Sequence, residues 1–314
     1  VVGLEAPNVF MAWRTDAAAS AQQDTLSVIS YLLSNGKAGL FDLDLNNPMK
    51  VMGASAQLSP NHDYGMFYLY GMPKEGQDTK EVRSLMLGEI EKLKKGQFSD
   101  DLLPSAVNNM KLKYYQSLRK NDERADRFVD AFINDKKWDD VVHSLDRISK
   151  MTKNQIVDFA NRFFTDGYVT VFKAQGNDTT IHKIEKPHIT PIPTNNDKQS
   201  EFLKNVVNAQ PEPIQPKFVD FKRDLTVGRT KKGLEYLYKK NTSDDIFSLT
   251  YHYPFGTESD NQYAVAADYL SYVGTDKLSN EKIQQQFFKL ACSYNVSVDD
   301  DAINISLSGL NGNM

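Results

Sequence analysis

A single cysteine, Cys292, occurs in 314 residues. No disulfide can therefore form within the chain. Its expected role is that of a small buried hydrophobe on an apolar helix face. One cysteine does not distinguish cytoplasm from periplasm, so both compartments stay open. Basic charge is also scarce. The 37 Lys and Arg are outnumbered by 41 Asp and Glu, for a net charge of -4. No stripe of Arg and Lys interleaved with aromatics is present, which argues against nucleic acid as a partner. No run approaches the roughly 18 apolar residues needed for a membrane-spanning helix. Glycine-rich phosphate loops and G-x-S-x-G are missing as well. The five histidines, His62, His143, His182, His188 and His252, show neither i,i+4 pairing nor a Cys/His cluster. Structural or solvated roles are expected for them.

What the chain does have is globular composition, with 40% hydrophobic and 25% charged residues. Its length suits about two domains. The alternation in "NVFMAWR" (8–14) predicts a strand. A helix over about 18–33 follows, closed by Asn35-Gly36. Two strands, "KVMGASAQLS" and "YGMFYLYGM", flank a turn at 60–63. The apolar stripe Val82, Leu85, Met86, Ile90 and Leu93 predicts a helix over 79–95, ended by Gly96. A helical block comes next. It starts at a cap on Ser99 or Asp100 and includes a capping box from Thr152 to Gln155. The strand "GYVTVFKA" ends it. This order predicts an α+β fold, with helices on one face of a mostly antiparallel sheet.

Residues 177–220 turn rich in Pro and polar residues around one short helical piece, "SEFLKNVVN", and read as a linker. A second unit is expected from 221 to 314. It comprises two strands around Lys231-Lys232-Gly233, the strand "DIFSLTYHYPFG", the helix "QYAVAADYL", a helix begun by Ser279, and two closing strands. "VDDDA" (Asp299–Asp301) lacks the glycine and distant Glu of a calcium loop and suits a solvated turn. The chain starts at "VVGLEAPNVF", without initiator Met or signal peptide, and stops just after a strand pattern. The expectation is a piece of a longer polypeptide with a truncated second unit. The open edges of an incomplete sheet would favour dimerisation.

The second unit carries a resemblance. A strand, a polar turn, the apolar helix "QYAVAADYL", Gly274-Thr275, another helix and two strands resemble the pitrilysin/insulinase zinc peptidases, the inverted zincins. In that family this helix carries H-x-x-E-H shortly before Gly-Thr. Residues at i, i+3 and i+4 share a helix face, so two imidazoles can grip zinc while the carboxylate reaches its water. Counting back from Gly274-Thr275 places Val265, Asp268 and Tyr269 at the motif positions. Valine has no lone pair, and a phenol with a pKa near 10 is a poor ligand at neutral pH. The non-metal reading makes Val265, Tyr269 and Tyr272 a core face.

The resemblance implies a metallopeptidase-like fold. Residues 1–176 would be the second α+β domain of the first half, 177–220 the interhalf linker, and 221–314 the start of a third, non-catalytic domain. Some halves of the family carry a substrate-contacting Arg and Tyr seven positions apart, and the matching positions here are Asp44 and Val51. No catalytic, cofactor-binding or metal-ligating residue is thus expected in this chain. Zinc would belong to a parent protein with its catalytic domain before Val1. That parent would degrade peptides inside a two-half clamshell chamber. Its partners would be peptides or unfolded segments, the missing catalytic domain and the C-terminal half. The alternative is a non-catalytic scaffold that partners an active zinc peptidase.

Overall fold

A computed structural model of the chain describes residues 1–180, 184–270 and 272–314. His182 lies outside the described residues. By contact the chain forms two compact units. One joins Val1–Asp178 with Asn241–Met314, and the other is Thr179–Lys240.

The first unit opens with β1 (Val2–Gly3), β2 (Asn8–Thr15) and α1 (Gln22–Leu33). β3 (Gly53–Ser59), β4 (Gly65–Met72) and α2 (Thr79–Lys94) follow. Then come α3 (Leu102–Ser117), α4 (Asn121–Ile133), α5 (Trp138–Val142), α6 (Ser144–Ser149), α7 (Lys153–Phe163) and β5 (Val169–Gln175). The five strands form one sheet in the order β1-β5-β2-β4-β3. Only the short β1–β5 pair is parallel.

The period-2 pattern of β2 decides which face is dry. Val9, Met11, Trp13 and Thr15 are buried, whereas Arg14 is exposed. Leu26, Ile29 and Leu33 of α1 and Val82, Met86, Ile90 and Leu93 of α2 meet that face. Gly96 ends α2 at φ +65°, where a side chain would be strained. α7 starts with the expected capping box between Thr152 and Gln155. The cap of α3 differs from expectation, because its N-cap is Asp101. Ser99 accepts the Asp101 N–H at 3.3 Å, while Asp100 is drawn to Lys153 at 2.8 Å.

The rest of this unit is β8 (Ile246–Tyr253), α9 (Gln262–Leu270), α10 (Asn280–Lys289), β9 (Cys292–Val298) and β10 (Ile303–Leu310), the intervening α8, β6 and β7 belonging to the other unit. Its three strands form an antiparallel sheet, β8-β10-β9. Cys292 is buried as expected, but it opens β9 and is not on a helix. α10 stops at Lys289 because Ala291 takes a left-handed backbone, φ 48°. α10 packs on α3, where Asn109 Nδ2 donates to the Phe288 carbonyl at 2.6 Å.

The second unit holds α8 (Glu201–Asn208), capped by Ser200, and the hairpin β6 (Thr226–Arg229) with β7 (Glu235–Tyr238). The expected Lys-Lys-Gly turn closes that hairpin, with Gly233 at φ +85°. Among the described residues no helix is long and apolar enough to cross a membrane.

Candidate functional site

Helix α9 carries Val265, Asp268 and Tyr269. Asp260 accepts the Gln262 N–H at 2.8 Å and starts the helix. Its exit is the Gly274-Thr275 turn. Thr275 N–H donates to the Leu278 carbonyl at 2.8 Å, and Thr275 Oγ1 accepts the Leu278 N–H at 3.1 Å. A side chain at 274 would collide with the Leu278 carbonyl, which accounts for glycine there.

The face between these ends departs from the expected one. Val265, Tyr269 and Tyr272 are 72%, 65% and 77% exposed, so they are not a core face. The helix turns Tyr263, Ala264 and Ala267 inward, and it packs on β9. Two alanines let the helix approach the sheet closely, which the bulkier Val-Tyr-Tyr stripe would prevent. Tyr263 also meets Phe255 with ring centroids 5.5 Å apart.

Asp268 borders a cavity of about 300 Å³ between α9, α10 and β9. Gln284, Ser293 and Asn295 line it with polar groups, and Lys37 reaches it from the α1 side. Burial, helped by Lys113, holds the Lys37 ammonium below its ordinary pKa. Zinc does not fit Val265, Asp268 and Tyr269. They offer one carboxylate, an aliphatic side chain and a phenol, where a catalytic site needs three protein ligands. Among the described residues, no three His, Cys, Asp or Glu side chains gather as a metal-binding group.

Asp44 sits on a π-helical turn, Asp42–Asn46, while Val51 is only 2% exposed in the core. Lys92 donates to Asp44 at 2.8 Å and to the buried Glu89 at 2.9 Å. Burial opposes ionisation of Asp44, yet the Lys92 hydrogen bond takes its carboxyl below the usual value. Glu89 goes the other way, raised by burial first and by Asp44 as well.

The π-helical turn is held by Asp42, which sequence reasoning did not single out. Its Oδ2 accepts N–H groups from Asn35 at 2.9 Å, Gly36 at 2.9 Å and Gly39 at 3.0 Å. Asn46 Nδ2 donates to Asp42 Oδ1 at 3.3 Å and to the Ala54 carbonyl at 3.0 Å, tying the turn to β3. The signal available in the sequence was a buried-looking Asp seven residues after Asn35-Gly36.

The other histidines lie apart from both places. His143 is exposed between α5 and α6, His188 is exposed in the second unit, and His252 is exposed on β8.

The comparisons agree with this architecture. Residues 2–110 match the family described as peptidase M16 inactive domain. This segment is thus similar to a non-catalytic peptidase domain. That match covers 109 of the 314 residues. A protease from Helicobacter pylori is similar at TM-score 0.51 and 19% identity, over 55% of this chain and 44% of that one. The periplasmic protease PqqL from Escherichia coli aligns over 100% of this chain and 38% of its own, at 11% identity and TM-score 0.46. A peptidase M16 inactive domain from Pseudomonas fluorescens aligns over 56% of this chain and 44% of that one, at 10% identity and TM-score 0.48. The chain thus spans less than half the length of these relatives. None of the curated proteins compared with it matches.

Proposed function

We propose that this chain is the non-catalytic portion of a zinc-dependent metalloendopeptidase that degrades peptides inside a two-half clamshell chamber. Residues 1–176 are its second α+β domain, 177–220 the interhalf linker, and 221–314 the start of the third domain. The zinc, its H-x-x-E-H helix and the general base belong to a catalytic domain elsewhere in the parent protein. The chain's own role is to wall the chamber and hold polypeptide. The match of residues 2–110 to an inactive M16 domain carries this reading. The donor-poor set on α9 supports it. So does the chain's coverage of only 44% and 38% of two proteases with related folds.

The test uses the complete gene product. One zinc per chain, with hydrolysis of a fluorogenic peptide abolished by a chelator, is the expected result. A complete product with no H-x-x-E-H and no hydrolysis would overturn it in favour of a scaffold for an active partner.

A further inference from the structure

The cavity beside Asp268 gathers polar side chains that the protein itself leaves unused. Lys37, Asp268, Gln284, Ser293 and Asn295 line its volume of about 300 Å³. Among the described residues, none of these side chains has a hydrogen-bond or ion-pair partner. Elsewhere, polar side chains where elements meet are engaged, as Asn109, Arg119 and Asp244 are.

Two of the unused groups carry opposite charge. Lys37 comes from the segment after α1 and Asp268 from α9, so they reach the cavity from different elements. Lys37 is half-buried, and Lys113 sets a second positive charge beside it. A carboxylate seated at Lys37 would offset both the burial and the repulsion. Asp268 calls for a cation in turn. The amides of Gln284 and Asn295 donate and accept, as does the Ser293 hydroxyl. Ser293 and Asn295 are two apart on β9, so they share a face of the strand. The rings of Phe287 and Tyr294, with centroids 5.0 Å apart, add an apolar wall. A simple anion would be repelled by Asp268, and a simple cation by Lys37 and Lys113. A ligand that carries both charges satisfies the set.

We infer that this cavity binds a short zwitterion, a free α-amino acid or a dipeptide. Its carboxylate meets Lys37, its ammonium meets Asp268, and its side chain lies against Phe287 and Tyr294. The inference does not draw on the proposed function, and no bond is made or broken in it.

The test is an NMR titration of the isotope-labelled 314-residue chain, following the side-chain amides of Gln284 and Asn295. The probes are the free proteinogenic amino acids and the dipeptide glycyl-phenylalanine, which together tell the two ligand lengths apart. At least one zwitterion should shift both amides saturably, with Kd in about the millimolar range or tighter. Its N-acetylated and its C-amidated forms should each bind about tenfold more weakly. Lys37→Met and Asp268→Asn should each weaken binding by about the same factor. Asp268 is exposed, so Asp268→Asn should leave the melting temperature unchanged. The inference is overturned if no zwitterion shifts either amide, or if acetate or the blocked forms bind as well as the free zwitterion. Unchanged affinity in Asp268→Asn would overturn it as well. Peptide hydrolysis plays no part in this readout, so its failure and that of the peptidase reading are separate results.

Discussion

Arg119, at the end of α3, grips Asp244, just before β8, through two parallel hydrogen bonds of 2.6 and 2.9 Å. The two residues are 125 positions apart in the chain. With the Asn109–Phe288 bond, this pair fixes the 241–314 segment onto α3. Asp244 is the more buried partner, and the Arg119 hydrogen bond is the main reason its carboxyl titrates below the ordinary range. A depressed carboxyl pKa contributes stability above the unfolded value of 3.8 that is lost as pH falls through the folded value. Arg119→Ala should therefore cost about 1–2 kcal/mol at neutral pH, with half-exposed Arg119 limiting the loss. The deficit should shrink in thermal melts below about pH 4. A deficit that stays constant to low pH would contradict the ion-pair account.

Asp42, itself buried, accepts three backbone N–H groups at once, that of Gly39 buried and those of Asn35 and Gly36 part-buried, so its loss leaves several donors without acceptors. Asp42→Ala should destabilise the first unit by about 3 kcal/mol or more, read by chemical denaturation. Asp42→Asn keeps part of the acceptor set and should cost less. Equal losses for the two variants would show that the carboxylate is not what holds the π-helical turn.

His62 bridges Asp63 at 2.7 Å and Asp135 at 2.9 Å, linking the β3–β4 turn to the loop after α4. The Asp135 hydrogen bond is the largest cause of its raised pKa, with Asp63 next. A raised imidazole pKa gives an interaction complete below 6.5 and lost as pH rises through the folded value. NMR titration of the His62 ring should give a pKa above 6.5, brought down by Asp135→Asn. A titration unmoved by that change would show that the bridge does not form in solution.

Much of this fold was legible in local patterns. The period-2 run of β2, the apolar stripe of α2 and the capping box at Thr152 are short-range signals, and each names its element. The outlook of α9 was not legible. Val265, Tyr269 and Tyr272 and the pair Ala264–Ala267 both keep helical spacing, so periodicity offers two faces. The choice falls to β9, a non-local partner against which small residues fit closely. Cys292 was misplaced for a related reason. "NEKIQQQFFKLAC" continues its helical composition past Lys289, and the left-handed Ala291 that breaks it carries no glycine or proline signal. The π-helical turn at 42–46 likewise depends on hydrogen bonds to residues 35–39 and 54, which spacing alone does not reveal. For the candidate site, Val265, Asp268 and Tyr269, counted back from Gly274-Thr275, do fall on one helix. The Lys37–Asp268 cavity was not legible, because it joins segments more than 200 residues apart.

The central claim is that this chain supplies peptidase architecture without peptidase chemistry. Metal analysis of the purified 314-residue chain, combined with a fluorogenic peptide assay in added zinc, tests it most directly. The account predicts no stoichiometric zinc and no turnover above buffer. One tightly bound zinc per chain, with chelator-sensitive hydrolysis, would contradict it.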